Sequence, residues 1–228
     1  MLALDMGSAS IVVKFFALAF SALLPVINPL GSALVFLGLV GNAPASLIST
    51  LARKIAISTL LFLVVIELVG TALLSFFGIS LPVVQVAGGL VLAAMGWSLL
   101  NQQDADTPRN QPDVAVSSFG PLEQKVFYPF TFPVTAGPGT VVVMLTLSAH
   151  ASVKGTLADS LAHIGILLAI VILSVLVFLS YRYAPKITER MAPQTAHGIL
   201  RVIAFVLLCI GVQITWNGVE AMLTTLLK

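Results

Sequence analysis

The chain has 228 residues, of which 11 are Lys or Arg and 9 are Asp or Glu, so charged residues make up 9 % and the formal net charge is +2. Hydrophobic residues make up 58 % and the mean hydropathy is +1.07, whereas a soluble domain carries about 25 % charged residues. That composition excludes a water-soluble fold, a nucleic-acid surface and, with Cys209 standing alone, a disulfide framework or cysteine metal cluster.

Residues 15–52, 68–103, 126–153, 160–181 and 202–219 contain no Asp, Glu, Lys or Arg, and a membrane-spanning helix needs about 20 apolar residues. The chain is therefore read as an all-α polytopic membrane protein, one membrane domain over 1–228. Six crossings are predicted, at 11–41, 53–77, 82–101, 121–149, 159–183 and 198–226.

The first crossing contains Pro25 and Pro29, each lacking an N–H and colliding with the preceding turn. The pieces on either side reach roughly 20 Å each, short of a hydrocarbon core of about 30 Å. A discontinuous helix follows, two half-helices joined by an unwound stretch over Pro25–Ile27. Asn28 before Pro29 marks the start of the second piece, an N-cap side chain followed by proline at N1.

In the second crossing Glu67 lies roughly 20 Å along the helix from Arg53, with no basic residue expected at its depth. It is either a proton-coupling group or a structural carboxyl hydrogen-bonded to a neighbouring helix. Small residues Gly88, Gly89, Ala93 and Gly96 on the third crossing favour close packing, within the chain or in a homo-oligomer. Residues 102–120 lack apolar periodicity and read as a solvent-exposed linker between a first three-helix repeat, 1–101, and a second, 121–228.

The fourth crossing repeats the proline device. FYPFTFPVTAGPGT holds Pro129, Pro133 and Pro138, with Gly137 and Gly139 around the last, so a second half-helix is expected to begin near Pro138. Free N–H groups at two such starts, approaching from opposite sides, would hold a carboxylate without Arg or Lys. The alternative is that the prolines only kink two helices. On the first reading the candidate substrate site comprises Asn28, Pro29, Gly31, Ser32, Thr135, Gly137, Pro138, Gly139, Thr140 and Gln213. Unwound carbonyls at Pro25–Ile27 and Thr135–Ala136 would take an ammonium group, which makes a small zwitterion the expected substrate. His150, His163 and His197 are dispersed, lack metal-ligand spacing and read as structural. No metal or cofactor is expected.

Arg53, Lys54, Arg109, Lys125, Arg182, Lys186, Arg190 and Arg201 fall on one side of this topology, and only Lys14, Lys154 and Lys228 on the other. The larger group belongs in the cytoplasm, which makes 102–120 cytoplasmic and puts both termini outside. Tyr128, Tyr181 and Tyr183 fall at the cytoplasmic boundary, where aromatic rings with a polar tip prefer to sit. Three crossings per half make the halves inverted repeats. Pro29 can be matched to Pro138, and Gly89–Gly96 to Ala204–Gly211, a register that also sets Ser98 on Gln213 and Gln102 on Asn217. Inverted repeats point to a secondary transporter.

NPLGSALVFLGL, beginning at Asn28, and FPVTAGPGTVV, beginning at Phe132, resemble the paired Pro/Gly signatures of the MarC family, also called the neutral amino acid transporter family. FFGISLPVVQVAGGLVL and GVQITWNGV are similar to that family as well, so the resemblance covers nearly the whole chain. It implies a three-plus-three inverted arrangement in a bacterial inner membrane and carriage of small neutral amino acids such as glycine and alanine. The break motifs map onto Asn28, Pro29 and Gly31, and onto Gly137, Pro138 and Gly139. Gln85 stands where the family pattern has Arg, and Thr71 where it has an acid.

The expected function is thus alternating-access transport of a small neutral amino acid, with a channel or a non-transporting membrane subunit as the alternative. No enzyme is expected, since neither HExxH, nor GxSxG, nor a paired-acid motif occurs.

Overall fold

The computed structural model describes residues 2–41, 43–101, 122–151, 156–190 and 193–227. Among the described residues the α-helices are α1 Leu2–Ile27, α2 Pro29–Val40, α3 Ala45–Phe76, α4 Leu81–Asn101, α5 Pro138–Ala151, α6 Thr156–Arg190 and α7 Pro193–Leu226. No strand occurs among the described residues. Five spans are long and apolar enough to cross a membrane: Ser8–Val40, Ala45–Phe76, Leu81–Asn101, Leu157–Ile187 and Gly198–Leu226. A sixth results if Leu122–Thr135 and Pro138–Ala151, bent by 71° at their break, are one crossing. The linker expected at 102–120 lies outside the described residues.

The first crossing departs from expectation at Pro25. The helix runs through it to Ile27, and the 26 residues of α1 reach about 39 Å, so the first piece is not short. One lost N–H does not stop a helix whose next turn closes, and Asn28 N donates to Leu24 O at 2.9 Å. The interruption is confined to Asn28, which takes the left-handed conformation (φ 44°, ψ 66°). Asn visits this region more cheaply than most L-residues. Its Oδ1 accepts from Gly31 N at 3.0 Å, and its carbonyl from Ser32 N at 2.9 Å. A Cβ at Gly31 would strike the Asn28 amide, so glycine there is what admits the cap.

Ahead of α5 the chain is wound rather than open. Leu122–Lys125 forms a 3₁₀ turn, and Val126–Thr135 follows with a wider i→i+5 spacing and extended backbone at Tyr128 and Phe132. Tyr128–Pro129 and Phe132–Pro133 are cis. The motif aromatic–Pro–X–Thr occurs twice here, and each threonine hydroxyl donates five residues back: Thr131 to Val126 O at 2.8 Å, Thr135 to Phe130 O at 2.6 Å. Ala136 N closes onto Thr131 O at 2.8 Å. Hydroxyl donors thus occupy carbonyls that the prolines cannot reach.

The helices pack around α6, which contacts α1, α2 and α3, while α5 lies against α3 and α4. The buried centre includes Phe36, Leu51, Ile55, Leu63, Phe130, Met144 and Ile170. The outward face of α3 is equally apolar, with Ile57, Leu61, Val65, Leu68 and Leu73 exposed, as a lipid-facing surface requires.

α4 and α7 pack backbone to backbone. A methyl at Gly96 would come 2.6 Å from Leu208 N and 2.8 Å from Ala204 O, and one at Gly89 2.6 Å from Gly211 O. Main chain cannot rotate aside as a side chain can. Gly96→Val should therefore lower the thermal midpoint in detergent, at a cost of about 1–3 kcal/mol from overpacking. An unchanged midpoint would show that the helices are not in contact there. At Asn28, alanine loses the cap and disfavours the left-handed backbone, whereas glycine loses only the cap. Asn28→Ala should cost about 1–2 kcal/mol and Asn28→Gly a few tenths, measured by chemical denaturation of the two variants.

Candidate functional site

The starts of α2 and α5 are joined through α6. Tyr181 is 0 % exposed and its hydroxyl lies 2.7 Å from Thr135 Oγ1, two residues before Gly137. Ser32, in the first turn of α2, lies beside the same hydroxyl and donates to Asn28 O at 2.9 Å. The ring of Tyr181 packs on Phe36 with centroids 4.7 Å apart, and Phe36 meets Phe130 edge-on at 5.4 Å. One phenol thus spans a threonine before one helix start and a serine after the other, inside an aromatic wall.

Backbone donors at these starts are fewer than expected from sequence. At α2, Pro29 has none, while Gly31 and Ser32 are taken by Asn28. At α5, Thr140 N and Val141 N both donate to Gly137 O, at 3.0 and 3.3 Å. Leu30 and Gly139 are the first-turn N–H groups that remain at N2 of their helices. Gly137, Gly139 and Thr140 are buried, Pro138 is exposed, and Gly139 packs against Leu92. The Thr140 hydroxyl is buried without a hydrogen-bond partner, as are those of Thr59 and Ser174. Beside the start of α2 lies an apolar cleft lined by Leu30, Gly31, Ala33, Ser180, Ala184 and Ile203.

Gln213 does not join this group. It is exposed on α7 and donates to Asn217 Oδ1 at 2.8 Å. In a bilayer the lipid side of a helix is as apolar as its packed side, so sequence does not distinguish them.

Tyr181 belongs to a buried stripe on α6 that includes Ala162, Ile166, Ala169, Leu173, Val177 and Ala184, and that three-and-four spacing was the signal available for it. The expectation that no basic residue lies at the depth of Glu67 is corrected. Its Oε1 lies 2.6 Å from Nδ1 of His163 on α6, a residue read as structural from sequence. The Glu67 side chain is 0 % exposed and His163 28 %. Ser148 of α5 donates to the Glu67 carbonyl at 3.0 Å, and Glu67 Oε2 is buried with no partner. His150 bonds Thr146 O through Nδ1 at 2.7 Å, within its own helix. The side chain of His197 lies outside the described residues.

Residues 13–223 match the family model described as MarC family integral membrane protein. The chain is 28 % identical to the inner membrane protein MarC of Escherichia coli O1:K1 over 214 residues, covering 93 % of this chain and 97 % of that one. The inner membrane protein MarC of Escherichia coli K12 is similar to the same extent, 28 % over the same shares. No solved structure matches. With five or six apolar spans and relatives of this kind, it is a multi-pass inner-membrane protein. The match runs from the first crossing to the last turns of α7, and on that ground the chain belongs to the MarC family of integral membrane proteins.

Proposed function

We propose that this protein is a secondary transporter of small neutral amino acids, of the size of glycine or alanine, working by alternating access. Its halves, 1–101 and 121–228, would be inverted repeats with discontinuous first and fourth crossings. Both termini would face outward, and Glu67 would serve as the proton-coupling group. The observation that carries this reading is Tyr181, which meets two proline-led helix starts at once, bonded to Thr135 ahead of α5 and packed on Phe36 of α2.

The α4–α7 contact supports the repeat. Under the register that aligns Gly89 with Ala204 and Gly96 with Gly211, the Gly89–Gly211 contact is the mate of the Gly96–Ala204 contact. A two-fold axis in the membrane plane requires that relation. The substrate carboxylate would take Leu30 N–H and Gly139 N–H at the positive helix ends. Its ammonium group would displace the hydrogen bonds of Ser32 and Thr135 and donate to the unpartnered Thr140 hydroxyl and the carbonyls of Asn28 and Ala136. Asn28, Pro29, Gly137 and Pro138 set the two starts in place. The apolar cleft beside Leu30 and Gly31 is suited to a methyl group and not to a charge.

Binding of a ligand to the folded state raises the melting temperature by mass action. Glycine or alanine should raise it in detergent, while lysine, glutamate and glycine amide should not. Stabilisation by glycine amide would refute the carboxylate site. Tyr181→Phe keeps the ring against Phe36 and removes the bridging hydroxyl, so glycine affinity should fall about tenfold, equal to about 1.4 kcal/mol. Orientation is read by labelling intact cells in a Cys209→Ala background with an impermeant thiol reagent. A cysteine at Leu227 should react and one at Glu123 should stay shielded; the opposite result would reverse the topology.

A further inference from the structure

His163 joins a buried carboxyl to an exposed one. Nδ1 faces Glu67 Oε1 at 2.6 Å, and Nε2 faces Asp159 Oδ1 at 4.0 Å. Exposure rises along the series, from 0 % for the Glu67 side chain through 28 % for His163 to 40 % for Asp159. Asp159 and His163 are four apart on α6, so the imidazole's two nitrogens look in opposite directions, one toward water and one toward the core. At 4.0 Å the outer contact is one rotamer change, or one bridging water, from a hydrogen bond. The far oxygen of Glu67, Oε2, is buried with no partner, so the series ends in the core. The three side chains do not converge on one point, and no group able to hold a metal is found among the described residues.

We propose that His163 is the proton carrier between Glu67 and the aqueous phase at the Asp159 end of α6. A proton from water binds Nε2 beside Asp159 and gives an imidazolium. The Nδ1 proton passes to Glu67 Oε1, leaving a neutral ring protonated at Nε2 and a neutral carboxyl. Release runs the same steps in reverse: Glu67 returns its proton to Nδ1, and Nε2 gives one to water, which restores the Nδ1–H form. Each forward pass takes one proton from water and leaves one on Glu67, with no other reactant. Two nitrogens that exchange roles make imidazole suited to this.

Among the described side chains the groups around the pair are few. From α5, Ser148 is a hydroxyl, and His150 is exposed and bonded to its own helix. From α1, packed against α6 at Gly165, the charged residue among the described side chains is Lys14, which is exposed. α3 offers no other charge near Glu67, and α6 offers Asp159.

This inference rests on the transporter reading for its purpose, and its test is independent of any substrate. The intact protein in detergent is given a rapid acid jump and followed by the infrared carboxyl band that Glu67→Gln removes. His163→Gln can still donate to Glu67 but cannot relay a proton, so the band should appear at least about tenfold more slowly. Asp159→Asn, an exposed change that leaves the fold in place, should slow it about threefold, and decides the matter if His163→Gln does not fold. Unchanged rates in the variants that fold, or no Glu67 band in the wild type, would overturn the proposal. A band slowed in the variants, together with no glycine counterflow by the wild-type protein in liposomes, would keep the proton path and reject the substrate.

Discussion

A main-chain N–H or C=O inside hydrocarbon has no water to fall back on, and leaving it bare costs several kcal/mol. Among the described residues, two departures from regular helix are largely repaired from nearby. Asn28 leaves the helical region for one residue, and its own side chain and carbonyl occupy two of the next three donors. Between Val126 and Thr135 the prolines remove donors, and two threonine hydroxyls fill carbonyls five residues back. The same residues supply the polar surface of the candidate site: Ser32 follows the first repair and Thr135 closes the second. Tyr181 of α6 bonds to Thr135 and lies beside Ser32.

The same constraint acts on Glu67. A carboxyl in the middle of a helix bundle needs partners supplied by other helices, and here α6 gives an imidazole while α5 gives the Ser148 hydroxyl to the main chain of the same residue. One carboxylate oxygen and the hydroxyls of Thr59, Thr140 and Ser174 remain unmatched in the interior. Unmatched polar atoms are rare in packed proteins, and those that remain are free to meet a small polar partner.

Much of the architecture was readable from where charges are missing, because a hydrophobic span is a local property of the chain. The starts at Pro29 and Pro138 were readable too, since proline at N1 after Asn or Gly is a local rule. What escaped was long-range or carried by side chains. That Pro25 would not end α1 depends on how the following turn closes. The winding of Val126–Thr135 depends on hydroxyls substituting for amides, which hydropathy does not register. Glu67 and His163 meet only because α6 folds back along α3, and Gln213 faces outward because lipid and protein interior make the same demand on an apolar helix.

The glycine seam between α4 and α7 has a mechanical meaning. Where two helices touch through Leu or Phe, they can slide by exchanging rotamers; where they touch through main chain, there is nothing to exchange. Gly89 against Gly211 and Gly96 against Ala204 fix the pair at two levels, one helix from each half of the chain. Any large motion of the protein must carry these two helices as a single plank, and shear is left to the interfaces where side chains, and not backbone, make the contact.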